Sequence, residues 1–274
     1  VEGILVGNGS DEILTLLFHA TLEKGCLVQY PDITYSLYPV LAKIRDAKVK
    51  EVKLDADWSL DFTKFSAQAR LTLWGYPNAP VGNCFDKAKM QAFIRKAKGL
   101  VLIDEAYVDF AGENCLDLAR KNANVLVLRT MSKSFSLAGV RLGYVFGHPK
   151  VIAQLMKVKD SYNVNRMTQA VGLAALSPAG LADMHRHVRR IRLDRNSLIE
   201  ELRNLGFTVP DSQANFVLAS RRGMPSAESL YKNLKKKRIL VRYFPLPRLK
   251  DSLRITVGTH VQNSRFLGEL RKLL

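Results

Sequence analysis

The lysine at position 133 is the first residue whose surroundings suggest chemistry. It follows a short apolar run at residues 125–128, is flanked by Ser132 and Ser134, and precedes Arg141 by eight residues. A buried ammonium group is costly, so its pKa falls and the free amine becomes a nucleophile toward carbonyl groups. A lone lysine in a turn is usually a surface residue, but the hydroxyls, Arg141 and a nearby carboxylate favour a functional role.

That carboxylate is Asp104, which ends a second apolar run. Residues 101–103 are Val-Leu-Ile, Asp104 follows them, and Tyr107 comes three residues later. A carboxylate at a strand end can hold Mg²⁺ in a nucleotide hydrolase, but that chemistry also needs the string GxxxxGK[ST], which the sequence does not contain. The other use of Asp104 is as a fixed anion beside a buried heterocyclic cation.

A glycine-rich segment, Gly-Asn-Gly-Ser-Asp-Glu at residues 7–12, precedes a stretch with helical spacing. The backbone N–H groups around Gly9, Ser10 and Asp11, together with the positive end of the helix, could bind a phosphate. The same segment could equally serve only as the N-terminal cap of that helix. Taken alone, it leaves both interpretations open.

Together the three segments meet the requirements of one cofactor, pyridoxal 5'-phosphate. Lys133 would form a Schiff base with its aldehyde, Asp104 would keep its pyridine nitrogen protonated, and residues 7–12 would hold its phosphate. The protonated ring absorbs the electrons that remain when an amino acid loses its α-proton, and a neutral residue at position 104 would weaken this electron sink. Lys133, once displaced by the substrate amine, would act as the base that moves the proton.

The elements that must position these residues alternate along residues 9–150. Apolar runs bounded by Gly, Pro or Asn predict strands at residues 27–30, 49–54, 71–74, 100–103, 125–128 and 143–146. Helical spacing predicts helices that include residues 11–22 and 87–98. This alternation predicts an α/β fold with a mostly parallel sheet sandwiched by helices, and in such sheets ligands bind beyond the carboxyl ends of the strands.

The pattern changes near Pro149. Residues 165–205 predict a long helical stretch interrupted at Ser177-Pro178. Strands at 207–209, 215–219, 239–243 and 253–257 and helices at 226–237 and 261–274 are predicted after it. The sequence therefore predicts a large α/β domain over residues 1–165, followed over residues 166–274 by a linker helix and a small α+β domain.

Composition limits the remaining function classes. The 274 residues are 47% hydrophobic and 24% charged, as in globular proteins. No apolar run approaches the roughly 18 residues that cross a bilayer, and no signal peptide is evident, so membrane and secreted classes are disfavoured. The net charge of +17 comes without a nucleic-acid-binding motif, which favours a solvated basic surface and anionic small-molecule ligands over nucleic acid.

Cysteines and histidines give no metal site. The three cysteines lack metal-ligand spacing, and His185 and His187 have no third ligand at a useful distance in sequence, so no metal is predicted. The pair Ser132-Lys133 is a poor hydrolase dyad, because adjacent side chains rarely face each other. Unpaired cysteines indicate a reducing, cytoplasmic compartment.

Four strings, in this order, resemble the histidinol-phosphate aminotransferases, which are class I/II aminotransferases of fold type I. They are GNGSDE at residues 7–12, DEAYVDF at 104–110, RTMSKSFSLAGVRLGY at 129–144 and LRITVGT at 253–259. The resemblance spans nearly the whole chain, and the third string is the most specific. It implies the fold type I architecture: a large cofactor-binding domain and a smaller C-terminal domain.

The resemblance also implies residue roles. Lys133 would be the Schiff-base lysine, Asp104 the pyridinium partner, and Tyr107 a hydrogen-bond donor to the ring hydroxyl. Tyr35 would stack on the pyridine ring. The phosphate of the cofactor would be held by Gly9, Ser10, Asp11, Ser132 and Arg141.

Two arginines would bind the substrates. Arg254 would hold the α-carboxylate of the amino donor through the bidentate fork that arginine offers. Arg242 would hold the phosphate of the substrate. The alternative for Arg242 is a surface arginine on an edge strand.

The sequence departs from the family pattern at two places. Where the family has an asparagine that bonds the ring hydroxyl, residues 76–82 read Tyr-Pro-Asn-Ala-Pro-Val-Gly, so Ala79 stands in its place. Either Asn78 substitutes or Tyr107 makes the contact alone. Family members also have several dozen residues before the Gly-Ser-Asp-Glu segment, including an arm over the site, which this sequence is expected to lack.

The implied activity is transamination of histidinol phosphate with 2-oxoglutarate, giving imidazole acetol phosphate and glutamate in histidine biosynthesis. Partners would be small-molecule amino donors and acceptors that carry phosphate and carboxylate groups, and the family is typically homodimeric. A decarboxylase of threonine phosphate is an alternative on the same scaffold. A catalytically impaired relative that acts as a binding module is another, favoured by Ala79 and the short N-terminus.

Overall fold

A seven-stranded mixed sheet forms the larger part of the molecule. The computed structural model describes residues 2–274. The sheet order is β1-β7-β6-β5-β4-β2-β3. Neighbouring strands from β3 to β6 run parallel, whereas β7 is antiparallel to both β6 and β1. The strands are β1 Ile4–Asn8, β2 Leu27–Pro31, β3 Lys48–Val52, β4 Leu71–Gly75, β5 Leu100–Asp104, β6 Val125–Thr130 and β7 Leu142–Phe146.

Helices cover both faces of this sheet. Alternate residues of the central strands point to opposite faces: Leu102 and Leu126 pack with one cluster of buried side chains, and Ile103 and Val127 with another. The first cluster includes side chains of α1 and α5, and the second includes side chains of α3 and α4. The α/β sandwich predicted from the alternating pattern is confirmed. These helices are α1 Ser10–Thr21, α2 Leu37–Ile44, α3 Lys87–Ile94, α4 Leu116–Lys121 and α5 Pro149–Val158.

Four elements of this part were not predicted, namely β1, α2, α4 and α5. Strand β1 lies at the sheet edge with every second residue exposed, and its short run is interrupted by glycine. Helix α2 is only eight residues long and contains a proline, which hides its helical spacing. The predicted helix over residues 87–98 ends instead at Ile94, because the chain then turns back and the Lys98 backbone N–H donates to the Ala67 carbonyl.

The C-terminal part builds a second sheet with its own core. Helix α7 packs with α8, α9 and the strands around buried side chains such as Leu202, Val217 and Leu230. The sheet is antiparallel in the order β8-β10-β9. The elements are α6 Arg166–Ala175, α7 Pro178–Asn204, β8 Phe216–Ser220, α8 Ala227–Lys236, β9 Arg242–Tyr243, β10 Ser252–Thr256 and α9 His260–Leu273.

The predicted break at Ser177-Pro178 lies between α6 and α7. The Ser177 side chain accepts a hydrogen bond from the Gly180 N–H, and Pro178 occupies the first turn, where its missing N–H costs nothing. Two predicted strands are much shorter than expected. Residues 207–209 contribute only a bridge from Thr208 to Ser220, and residues 239–243 contribute only β9. The domain boundary at residue 165 stays a prediction.

Candidate active site

A cavity opens at the carboxyl ends of β4, β5 and β6 and encloses about 660 Å³, part of it open to solvent. Side chains from distant parts of the sequence meet in it, because parallel strands end at the same edge of the sheet. Most of the predicted cofactor residues line this one cavity. They are Ser10, Asp11, Tyr35, Asp104, Tyr107, Ser132, Lys133 and Arg141.

Asp104 is the last residue of β5 and is buried at the floor of the cavity. Its Oδ2 accepts a hydrogen bond from the Tyr38 hydroxyl at 2.8 Å, and its Oδ1 accepts one from the Ala106 N–H at 3.0 Å. Burial disfavours the charged carboxylate and raises the pKa of Asp104 to about 6, although both hydrogen bonds oppose the shift. A cation beside Asp104 would relieve this burial cost.

Tyr38 is a site residue that no motif in the sequence identifies. It lies in the first turn of α2 and is fully buried. Its partner Asp104 is 66 residues away in sequence. Only its spacing from Tyr35, three residues apart at a helix start, could have indicated that both rings point the same way.

Lys133 lies in the turn after β6, among the residues that line the same cavity as Asp104. Its Nζ is 5.3 Å from the centre of the Tyr107 ring, and its charge favours the ionised form of Asp104. The turn is tight, since the Ser136 N–H donates to the Lys133 carbonyl at 3.1 Å. The next residue, Ser134, donates its hydroxyl to the Asp109 carboxylate. These two hydrogen bonds therefore hold the turn that carries Lys133.

The start of α1 and Arg141 form a cradle for an anion. Gly9 precedes the helix without a side-chain cap, so the first helical N–H groups are not used by a capping side chain. A Cβ at Gly9 would lie 2.4 Å from the Arg141 guanidinium. Arg141 itself has a left-handed backbone (φ +58°) and lies 3.3 Å from the Asp11 carboxylate. Gly143 of β7 has no room for a Cβ against Ser10, which lets the helix start approach the cavity closely.

Aromatic side chains form the walls of the cavity. The Tyr35 hydroxyl donates to Asp11 at 3.1 Å, and the Tyr35 ring meets the Tyr38 ring edge to face. Tyr107 packs edge to face against Phe216 of β8, with ring centres 5.0 Å apart. Tyr35, Tyr38 and Tyr107 therefore line the cavity, and Phe216 of the C-terminal sheet packs against Tyr107.

Of the two neighbouring residues Asn78 and Ala79, only Ala79 lines the cavity. The Asn78 amide donates to the Ile33 carbonyl at 2.9 Å and accepts from the Thr34 hydroxyl at 3.1 Å. Asn78 is fully buried and is not among the residues that line the cavity, whereas Ala79 is. The predicted cofactor contact of Asn78 thus gains no support, because its amide holds the 33–34 loop instead.

Arg242 and Arg254 lie together in an adjoining cavity that shares Thr34, Tyr35 and Ala79 with the first. They are paired across β9 and β10, and both guanidinium groups lie over the Phe244 ring, at 5.4 and 5.7 Å. Burial lowers the pKa of Arg254 from its usual value. Two cations beside one opening favour a ligand with two anionic groups.

A third arginine, Arg248, ties the loop between β9 and β10 to the large sheet. Its guanidinium lies 2.6 Å from the Asp32 carboxylate, donates to the carbonyls of Leu54 and Asp55, and stacks over the Trp58 ring at 5.2 Å. Asp32 precedes the loop that carries Tyr35.

A buried ion pair supports the floor of the cavity. Glu105 is fully buried next to Asp104, and its Oε2 lies 2.7 Å from the Arg129 guanidinium. The Cys115 N–H donates to the same carboxylate. This pair joins the end of β5 to β6, and nothing local in the sequence marks either residue as a partner of the other.

The described residues contain neither a cluster of metal ligands nor a helix that could span a membrane. Within residues 2–274 no group of three His, Cys, Asp or Glu side chains could hold a metal ion. Over the same residues, no helix has both the length and the apolar composition to cross a bilayer.

The residues present fit pyridoxal 5'-phosphate. An amine lines the cavity for its aldehyde, a buried carboxylate with no ion-pair partner among the described residues is placed for its ring nitrogen, and an uncapped helix start with Ser132 and Arg141 is placed for its phosphate. The fold and this cavity define a fold type I enzyme of the pyridoxal-phosphate-dependent class.

Comparisons with known proteins give the family. Residues 1–270 match the model of aminotransferase class I and II, and the chain belongs to this family. It is 41% identical to histidinol-phosphate aminotransferase of Rippkaea orientalis, over 99% of this chain and 77% of that protein. It is 40% identical to the enzyme of the same name from Microcystis aeruginosa, over 100% and 78% of the two chains.

Solved structures show the same fold. Histidinol-phosphate aminotransferase of Clostridium acetobutylicum is similar with a TM-score of 0.89 and 26% identity, over 98% of this chain and 83% of that chain. The Sinorhizobium meliloti enzyme, solved in complex with pyridoxal-5'-phosphate, gives a TM-score of 0.91 at 21% identity, over 100% and 78% of the two chains. The predicted fold type I architecture is confirmed.

Proposed function

We propose that this chain transfers the amino group of histidinol phosphate to 2-oxoglutarate, forming imidazole acetol phosphate and glutamate in histidine biosynthesis. The observation that carries the proposal is the convergence of Lys133, Asp104 and an anion cradle on one cavity that adjoins two arginines. The names of relatives about 41% identical over nearly the full chain support the choice of substrate.

The bound cofactor supplies an electron-withdrawing ring that stabilises negative charge at the α-carbon of the amino substrate. Asp104 holds a proton at the ring nitrogen, and its burial strengthens that charge pair. The Lys133 Nζ would take the α-proton of the amino substrate. Tyr107 would donate to the ring hydroxyl, and Tyr35 would contact the ring. The phosphate would be held by Gly9, Ser10, Asp11, Ser132 and Arg141.

A direct test follows from the amine at position 133. Purified protein with added pyridoxal phosphate should be yellow, and borohydride should bleach the colour. Glutamate should form from histidinol phosphate and 2-oxoglutarate without release of CO₂. A protein that takes up no pyridoxal phosphate contradicts the proposal. Release of CO₂ from threonine phosphate would instead favour the decarboxylase, and cofactor binding without conversion by any amino donor would favour a binding module.

The two arginines should divide the substrates between them, with Arg254 on the α-carboxylate of glutamate and Arg242 on the phosphate of histidinol phosphate. Arg242→Ala should raise KM for histidinol phosphate by about tenfold to a hundredfold, because a charged hydrogen bond contributes roughly 1.5–3 kcal/mol. KM for 2-oxoglutarate, the keto acid that corresponds to glutamate in this direction, should change much less. Steady-state kinetics with each substrate measure this difference.

Arg222→Ala is the matched control, since Arg222 is an exposed arginine of the C-terminal part that does not line either cavity. Equal increases in both KM values for Arg242→Ala would contradict the division of roles.

We also propose that the chain forms a homodimer. An apolar groove runs between β1 and α6, and its exposed side chains are Ile4, Val6, Met156, Tyr162, Leu173 and Leu176. Contiguous exposed apolar side chains of this kind mark interaction surfaces. A second copy would bury them beside the start of α1, where the anion cradle lies.

Leu173→Glu should therefore give a monomer in sedimentation-velocity experiments, because a carboxylate in an apolar interface is desolvated without a partner. Leu240→Glu, at a leucine of the C-terminal part that is equally exposed, is the control and should leave the dimer intact. A wild-type protein that sediments as a monomer contradicts this proposal.

The three free cysteines, Cys26, Cys84 and Cys115, support a cytoplasmic location.

A further inference from the structure

The phenol of Tyr38 is a buried group that the proposed chemistry leaves without a role. The ring is fully buried, and its hydroxyl donates to Asp104 Oδ2 at 2.8 Å. The other carboxylate oxygen of Asp104 accepts from the Ala106 N–H. Each oxygen of Asp104 therefore already has one fixed donor, and one of these donors is a side chain that can be replaced.

We propose that Tyr38 is a positioning residue whose hydroxyl fixes the Asp104 carboxylate in the orientation and charge state that a ring-nitrogen cation requires. The inference rests on the proposed function, since it concerns the same site. Tyr38 would act through Asp104 alone, without touching the substrate.

The charged and polar groups around Asp104 explain why such a donor is needed. Burial and the Asp11 carboxylate oppose ionisation of Asp104, whereas Tyr38, the Ala106 N–H and Lys133 favour it. Lys133 is the only cation among these groups, and its amine is needed for chemistry. A neutral phenol stabilises the carboxylate without neutralising it, so the negative charge remains available to a cation on the ring.

Tyr38 is suited to remain a donor. Burial and the neighbouring Asp104 raise its pKa well above the ordinary value, so the phenol keeps its proton at any working pH. Its other titratable neighbours are Tyr35 and Tyr107. Packing fixes the ring, because Tyr30 and Tyr35 lie against it with ring centres 6.1 and 5.7 Å away.

Tyr30 supplies a matched control. It is a fully buried tyrosine that packs against Tyr38, and its hydroxyl has no hydrogen-bond partner among the described residues. Tyr38→Phe and Tyr30→Phe therefore remove the same atom from neighbouring rings, but only the first change removes a bond to Asp104.

The experiment follows the Asp104 carboxyl by ¹³C NMR in protein free of cofactor, with its signal assigned through Asp104→Asn. In Tyr38→Phe the pKa of the Asp104 carboxyl should rise by about one to two, because one hydrogen bond to a charged group is lost. Tyr30→Phe should titrate as the wild type. With pyridoxal phosphate, Tyr38→Phe should lower kcat about tenfold and leave KM nearly unchanged.

An unshifted titration in Tyr38→Phe, or an equal shift in Tyr30→Phe, would overturn the inference while leaving the proposed function intact. A wild type that binds no pyridoxal phosphate would overturn the proposed function, and the titration would still decide the role of Tyr38. If Tyr38→Phe does not fold, 3-fluorotyrosine placed at position 38 tests the same contact in the opposite direction. Its more acidic phenol is a stronger hydrogen-bond donor and should lower the pKa of Asp104. An unchanged pKa would count against the inference.

Discussion

Lys133→Ala is expected to fold, to bind pyridoxal phosphate without a covalent bond, and to lose at least about a thousandfold in turnover. A positioned general base alone contributes roughly 10²–10⁴-fold, and this variant also loses the amine that attaches the cofactor. Asp104, Ser132 and Arg141 remain in the cavity, so the cofactor should still bind. Stopped-flow absorbance with glutamate measures the loss of the half-reaction.

The control for this variant is Lys236→Ala, which removes an exposed lysine of α8. A small primary amine such as methylamine should restore part of the activity of Lys133→Ala, because the deletion leaves space where the side chain stood. Retention of more than about a tenth of wild-type turnover without added amine would show that another group is the base.

Asp104→Asn is expected to have two opposite effects. Turnover should fall by at least about a hundredfold, because the amide cannot hold a proton at the ring nitrogen. The free energy of unfolding of the cofactor-free protein should instead rise by about 1–3 kcal/mol at pH 8. The folded-state pKa of about 6 lies above the ordinary 3.8, and each unit is equivalent to about 1.4 kcal/mol.

The size of the stability effect depends on pH. A carboxyl with a raised folded-state pKa destabilises the fold fully above about pH 6, and this cost disappears as the pH falls below 3.8. The advantage of Asp104→Asn should therefore be largest at pH 8 and shrink toward pH 4. Urea unfolding at several pH values measures it. Saturating pyridoxal phosphate should reverse the order at pH 8, since the wild type then gains a partner for its carboxylate.

If Asp104→Asn proved less stable than the wild type without cofactor at every pH, burial could not be what shifts the Asp104 titration. Asp251→Asn, at a carboxylate of the C-terminal part outside both cavities, controls for the loss of one negative charge.

The parts of the site that could be predicted share one physical reason. Asp104 and Lys133 each follow a short apolar run, and the ends of neighbouring parallel strands meet at one edge of the sheet. Asp104 and Lys133 could therefore be expected to lie close together without knowledge of the order of the strands in the sheet. The same alternation of apolar runs and helical spacing was enough to predict the α/β sandwich.

The parts that were missed depend on contacts between distant residues. Tyr38 reaches Asp104 across 66 positions, and Arg248 reaches Asp32 across 216. No local pattern distinguishes these side chains from other tyrosines and arginines. Asn78 lies in a known motif, where either it or Tyr107 alone is expected to contact the ring hydroxyl, and its amide bonds Ile33 and Thr34 in the structure. Motif position indicates where a residue lies, not which of its neighbours it binds.

The tie between Arg248 and the large sheet has a consequence for selectivity. Moving the loop between β9 and β10 away from Asp32 would break an ion pair, two carbonyl contacts and a stacking contact together. Arg242 and Arg254 lie on the strands at either end of that loop, so we expect their separation from Lys133 to be fixed before a ligand arrives. We therefore expect an amine too short to span from Lys133 to the arginines to leave one of these anchors unused.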